Sequence, residues 1–207
     1  VTVSGVTLEG DGTTVLVGEN NGTVIVYETT ADTLVKKGND PVAASEVSTI
    51  GELTAALDAG AEEIKLVADI EAEKVIEISK SVVINGSDYN IKSAANRVIR
   101  LTASNIKVVI NDLNAISSAA VNYPEDVRGI SVDPSLNTVD LTLNNCTVDF
   151  TDITTNDWTY AVNVSGSGTG HRVTVNGGSY EGANVINVHG AKNTITVKEA
   201  TLISMYP

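Results

Sequence analysis

The chain has 207 residues, 42% hydrophobic and 19% charged, which fills one core of ordinary size and excludes both a disordered chain and two large domains. Thirteen Lys and Arg against 26 Asp and Glu leave a net charge of −13, which repels phosphate backbones and anionic lipid, so no nucleic acid partner is expected. The single cysteine, Cys146, excludes an internal disulfide framework and a Cys-rich metal site, and no apolar run approaches the roughly 18 residues that membrane insertion by a helix requires.

Residues 1 to 46 read as an N-terminal β arm or anchor segment. Val15-Leu16-Val17 and Thr23 to Tyr27 flank Gly18-Glu19-Asn20-Asn21-Gly22, and Asn-Gly between two β-rich runs predicts a hairpin. Val1 to Leu8 alternates and predicts a further strand, while Lys36 to Pro41 reads as a linker. The opening Val in place of Met reads as a processed product or an excerpt.

The second piece, residues 47 to 207, opens with a helix. Thr49-Ile50-Gly51-Glu52 is a capping box, Leu53, Ala56 and Leu57 share one face, and Gly60 follows the end, which predicts a short amphipathic helix over about 50–59. Ile64 to Val67 and Val75 to Ile78 then read as a first, irregular coil of strands, with the helix as its plug.

From Ser81 onward the sequence repeats. Val, Thr and Asn number 29, 23 and 19, a mixture that favours short strands and tight corners. A strand ending in Asn recurs at Val82 to Asn85, Val108 to Asn111, Leu141 to Asn144 and Val173 to Asn176, and a fifth copy, Ile195-Thr196-Val197, ends in Lys198. The corner intervals are 26, 33, 32 and 22 residues, which suits a coil of three short strands with loop insertions in its middle turns. Period-2 burial predicts inward pairs Val82/Ile84, Val108/Ile110, Leu141/Leu143, Val173/Val175 and Ile195/Val197 on the first strand. On the second it predicts Ser87/Tyr89, Leu113/Ala115, Cys146/Val148, Gly178/Tyr180 and Ala200/Leu202, and on the third Ile99/Leu101, Ile130/Val132, Val162/Val164 and Ile186/Val188. Asn85, Asn111, Asn144 and Asn176 then stack as an amide ladder. Asn105, Asn137 and Asn193 suggest a second, looser stack in which His171 replaces Asn.

The long intervals place two insertions, Ser117 to Val127 and Thr151 to Thr159, at the same corner of successive coils. They raise one patch whose candidate ligand-binding residues are Tyr123, Asp126, Asp157, Trp158 and Tyr160, because an aromatic face beside carboxylates suits a sugar ring and its hydroxyls. The chain stops at Pro207, half a coil past the last complete one, so the C-terminal end reads as uncapped, to be covered by more chain or by another subunit. Gly166 to Gly170 lacks a following P-loop Lys and reads as a turn, and neither Glu125-Asp126 nor Asn156-Asp157 has the ligand spacing of a calcium loop. No cofactor or metal is therefore expected, and inward-facing Cys146 reads as apolar filler.

The coil period, the inward pairs and the asparagine ladder over about residues 46–203 resemble the right-handed parallel β-helix proteins of the pectate-lyase-like superfamily. The resemblance implies an all-β, right-handed parallel β-helix with an N-terminal capping helix, in keeping with the right-handed preference of parallel crossovers. For the superfamily's lyases it implies acidic calcium ligands with a basic residue, and for its hydrolases close aspartates with a His and Arg-x-Lys. His189-Gly190 matches only a fragment of the latter, and Arg100, Arg128, Arg172 and the carboxylates Asp133, Asp140, Asp149 and Asp152 form no such motif. The expected function is a non-enzymatic structural or binding module on an exposed surface, a virion decoration or fibre protein or a bacterial surface adhesin. Its partners are a protein met through the arm or the open end, in an oligomer or assembly, and a glycan met through the loops. The alternative is a polysaccharide lyase or glycoside hydrolase, or a fragment of one.

Overall fold

A computed structural model of the chain describes strand segments 14–20, 23–30 and 33–37 and residues 45–119, 125–150, 153 and 158–205. The chain divides into two compact units, Val1–Ala43 and Ala44–Pro207. In the first, β1 (Thr14–Asn20), β2 (Thr23–Thr30) and β3 (Thr33–Lys37) form an antiparallel meander in that order. Asn20 pairs with Thr23 across the two residues Asn21-Gly22, as an Asn-Gly hairpin requires. Lys36 and Lys37, expected in a linker, pair with Tyr27 and Val26 as part of β3. The strand expected over Val1 to Leu8 lies outside the described residues.

The second unit starts with β4 (Ser45–Val47), which pairs parallel to the first coil, so Ser45 and Glu46 belong to the solenoid sheet. Helix α1 (Ile50–Ala59) follows. Its N-terminus is held by a reciprocal cap: Glu52 N donates to Thr49 Oγ1 at 3.2 Å, and Glu52 Oε2 accepts from the Thr49 and Ser48 backbones at 3.2 and 2.8 Å. Gly60 ends it at φ +80°, its N–H donating to Ala56 and Leu57 carbonyls. Leu53 and Leu57 are buried, and the helix packs on β4 and on the second and third strands of the first coil.

That coil comprises β5 (Glu63–Leu66), β6 (Ile70–Ala72) and β7 (Ile76–Ile78). The next comprises β8 (Val82–Asn85), β9 (Asn90–Ser93) and β10 (Arg97–Leu101). The third holds β11 (Lys107–Asn111), β12 (Asn114–Ser117) and β13 (Val127–Val132). In the fourth are β14 (Asp140–Asn144), β15 (Thr147–Asp149) and β16 (Thr159–Val164). The fifth runs through β17 (Arg172–Asn176), β18 (Ser179–Gly182) and β19 (Asn184–Val188), and a sixth begins with β20 (Thr194–Lys198) and β21 (Thr201–Ser204). First strands stack on first, second on second and third on third, giving three parallel sheets. This is a parallel β-helix with an N-terminal helix.

The bore is lined in register. Val82, Val108, Leu141, Val173 and Ile195 form one row, and Ile76, Ile99, Ile130, Val162 and Ile186 another. At the ladder corner Asn111, Asn144 and Asn176 each donate through Nδ2 to the Oδ1 of the preceding Asn at 2.8 Å. The first member, Asn85, donates instead to Glu63 Oε1 at 2.6 Å.

Within the repeats, the sequence expectations that fail do so at corners. The pair Ser87/Tyr89 is on the surface, and Ile91/Ser93 faces the bore in its place, paired with Ala115/Ser117. In the third and fourth coils one residue with φ near +50° (Asp112, Asn145) turns the chain after the ladder Asn, and in the fifth Gly177 and Gly178 do so together. After Asn85 the corner holds two more residues, with Ser87 and Asp88 at φ +54° and +63°, so Ile91 stands six residues past the ladder Asn where its partner Ala115 stands four. The second asparagine stack also dissolves. Counted back from the paired residues Lys107, Asp140, Arg172 and Thr194, it is Asn105, Thr138, Gly170 and Lys192 that align, all with positive φ. Asn137 and Asn193 use their side-chain oxygens on backbone N–H groups of Thr169 and His171. His171 is a buried ring whose Nδ1 accepts from Val139 N at 3.3 Å. Within the predicted pair Gly178/Tyr180, Tyr180 fills the bore, while Gly178 has φ +85° and a Cβ there would lie 2.0 Å from the Cys146 carbonyl oxygen.

Candidate ligand-binding face

Both insertions join a second strand to a third strand, so they emerge along one side of the sheet built from β7, β10, β13, β16 and β19. At the start of the first, Ser117 is buried and its Oγ accepts from Ala119 N at 3.4 Å. Asp126 ends that insertion and Trp158 ends the other. Val127 N donates to the Trp158 carbonyl at 2.9 Å and Val127 pairs with Thr159, which sets Asp126 and Trp158 at the entrance to neighbouring strands. Tyr160 follows in register with Arg128. Of the five predicted residues the structure thus brings Asp126, Trp158 and Tyr160 together, with 43% of Trp158 exposed. Tyr123 and Asp157 lie outside the described residues.

Sequence reasoning missed the basic half of this face. Arg97, Arg128, Tyr160 and Asn184 form one column by register, and Glu77, Arg100, Ser131, Asn163 and Asn187 the next, in which Ser131 and Asn163 are buried. Arg97, Arg128 and Tyr160 each stand two residues before the inward Ile99, Ile130 and Val162, where strict alternation expects another inward residue; the buried Val98, Gly129 and Ala161 between them break the alternation, so the repeat did not announce them.

Asp126 is half-buried and already engaged. Its Oδ2 accepts from Arg128 Nε at 2.9 Å and from Arg128 Nη2, while Arg97 Nη2 lies 3.8 Å from its Oδ1. The role expected for Asp126, accepting from a sugar hydroxyl, is therefore shared with holding two guanidinium groups. Arg128 Nη1 also donates to Ser165 Oγ at 3.5 Å. Arg97 is pushed below the ordinary arginine range, first by burial and then by the Arg128 charge. Arg100 is the opposite case. Asp133 takes its Nε and Nη2 at 2.5 and 2.7 Å and Glu77 its Nη1 at 3.3 Å, and the Asp133 bonds raise its pKa.

A groove between α1 and β7, lined by Thr54, Asp58, Glu73, Lys74, Glu77 and Ala95, adjoins the first strand of this sheet. Among the described residues no three His, Cys, Asp or Glu side chains gather as metal ligands. Cys146 sits in the bore, its Sγ donating to the Ile110 and Asn144 carbonyls, with burial pushing its pKa up to about 11. The thiol is thus held as an unreactive filler. The face as built offers an aromatic surface, a phenol and a bank of paired guanidinium groups, a combination suited to holding a polar ligand in place. Compared with protein-family models, curated proteins and solved structures, the chain finds no match in any of the three.

Proposed function

We propose that the protein is a non-enzymatic structural and binding module that works on an exposed surface, as a virion decoration or fibre protein or a bacterial surface adhesin. The solenoid is its rigid body, the sheet of third strands carries the contact with a glycan, and the antiparallel N-terminal unit and the last coil meet protein partners in an assembly. In this reading the solenoid is related in architecture to the pectate-lyase-like superfamily and shares its right-handed winding, without the chemistry of that superfamily's enzymes.

The observation that carries this reading is the meeting of Asp126 and Trp158, at the ends of insertions in successive coils, with Tyr160 of β16, on a face whose backbone is held in register by hydrogen bonds to both neighbouring coils. A ligand docked there meets side chains fixed by the scaffold, so little ordering opposes binding. Trp158 supplies a flat apolar surface of the kind on which sugar rings stack. A glycan array probed with the wild type and with Trp158→Ala tests the proposal. Binding of a defined glycan class that Trp158→Ala reduces at least tenfold is expected. No binding by either protein removes the glycan from the proposal. Incubation with pectin, alginate and host glycans is expected to release no unsaturated product or reducing ends above background, and release would overturn the non-enzymatic reading.

A further inference from the structure

We propose that Arg97, standing beside Arg128, is an oxyanion-binding residue, and that the ligand of this face carries a pendant carboxylate or sulfate. This deepens the glycan reading above and rests on it for the identity of the carrier.

Arg97 and Arg128 are direct partners on β10 and β13. Adjacent strands lie about 4.8 Å apart, so two like charges leave the same face one strand spacing from each other, an arrangement that destabilises a sheet unless something neutralises it. With 13 basic residues against 26 acidic ones the chain as a whole repels anions, so the Arg97–Arg128 pair is a local exception to that field. Three side chains, Arg97, Arg128 and Asp126, carry two positive charges and one negative. Among the described residues, the carboxylate nearest this pair, Asp126, is bonded to Arg128 and only within ion-pair range of Arg97. Arg97 has five N–H donors, and the hydrogen bond described for its side chain is a long one, Nη1 to Asn96 Oδ1 at 3.4 Å.

The pair is also partly withdrawn from water, with side-chain exposures of 23% for Arg97 and 13% for Arg128, so solvent screens the repulsion poorly. The neighbouring Arg100 shows what a satisfied arginine on this sheet looks like, with its fork closed by Asp133 and its remaining arm on Glu77. Among the described residues no carboxylate closes such a fork on Arg97. A bound oxyanion supplies the missing charge and two acceptor atoms in the geometry a guanidinium prefers. Tyr160 on β16 and Trp158 at its entrance stand one strand beyond Arg128 and two beyond Arg97, where they meet the remainder of a sugar that carries the anion.

The test is an NMR titration of the full chain that follows the Arg97 Nε–Hε signal, assigned by its loss in Arg97→Gln. The probes are sodium acetate, methyl glucuronide, glucose 6-sulfate and neutral methyl glucoside. Saturable shifts are expected with the glucuronide, the sulfate sugar or both, and the responding probe identifies the anion. Arg97→Gln, with fold verified by its amide spectrum and Tm, should weaken binding at least tenfold. Asp126→Asn, which frees Arg128, should tighten it, a gain that a merely structural role for the cluster would not give. Equal binding of the neutral and charged sugars, or unchanged affinity in folded Arg97→Gln, overturns the anion site while leaving a glycan face standing. Arg97-dependent binding of acetate with no response to any sugar upholds the site and removes the glycan. Silence with all four probes removes both.

Discussion

Single residues in the bore show how closely this core is balanced. Tyr180 stacks in register on Val148 and is fully buried, and its hydroxyl, close to the Cys146 backbone, meets good hydrogen-bond geometry with none of the described residues. A buried hydroxyl without a partner costs about 1–3 kcal/mol, so Tyr180→Phe should leave stability in urea unchanged or raise it by about 1 kcal/mol. A loss larger than that would reveal an acceptor the hydroxyl reaches. His171 is held neutral by the same logic: burial lowers its pKa, and Nδ1 accepts from Val139 N. Because the folded pKa lies below that of the unfolded chain, the unfolded state takes up the proton first as pH falls. The stability associated with the neutral ring is complete above the ordinary histidine value of about 6.5 and declines below it. Denaturation midpoints measured between pH 8 and 5.5 should fall in the wild type, and less steeply in His171→Gln.

Among elements, the asparagine ladder is the most specific. All its amides point the same way, each Nδ2 toward the preceding coil, and the chain of dipoles begins at the Glu63 carboxylate. At the far end the next register position is Lys198, placing a cation beside the acceptor end of the row. Aligned amides with an anion at the donor end and a cation at the acceptor end follow the same electrostatic rule as a capped helix. Asn144→Ala removes a central member and leaves Asn111 Oδ1 and Asn176 Nδ2 each without a partner, a cost of about 2–4 kcal/mol in urea denaturation. Asn176→Ala orphans only Asn144 Oδ1 and should cost about half as much. The ladder and most inward pairs were legible because both are local: an alternation of two and a corner residue at a fixed offset. What was not legible depended on backbone that side-chain pattern does not encode. Ser87 and Asp88 take left-handed conformations that their residue types do not announce, which hid the two extra residues at that corner and moved Tyr89 to the surface. On the candidate face, Trp158 and Asp126 stood out by chemistry in long intervals. Arg97 did not, because its meaning lies in the alignment of coils 31 residues apart that makes it the partner of Arg128.

For the whole molecule, stacking coils makes stability nearly one-dimensional, each coil being held by its two neighbours. The two ends of this solenoid differ in that respect. At the first, α1 inserts buried Leu53 over β6 and β7, and β4 pairs along the outer edge of β5. In the sixth coil the residues that continue the inward rows, Ile195, Val197 and Leu202, are exposed, and β20 and β21 pair on one side alone. Opening β20 and β21 therefore exposes little apolar area that is not exposed already, whereas opening β11 or β14 breaks two ladders at once. Amide hydrogen exchange should show a gradient: slow, global-unfolding exchange in β8, β11 and β14, and exchange through smaller openings in β20 and β21. Leu143→Ala, at a fully buried position in the fourth coil, should cost about 2–5 kcal/mol and speed exchange in every coil that exchanges globally. Leu202→Ala should cost under about 1 kcal/mol and act on the last strands alone. A uniform exchange rate from β8 to β21 would contradict nearest-neighbour stability. A protein partner seated on the sixth coil should raise protection there first, so the same measurement made in the native assembly tests whether this end is a docking surface.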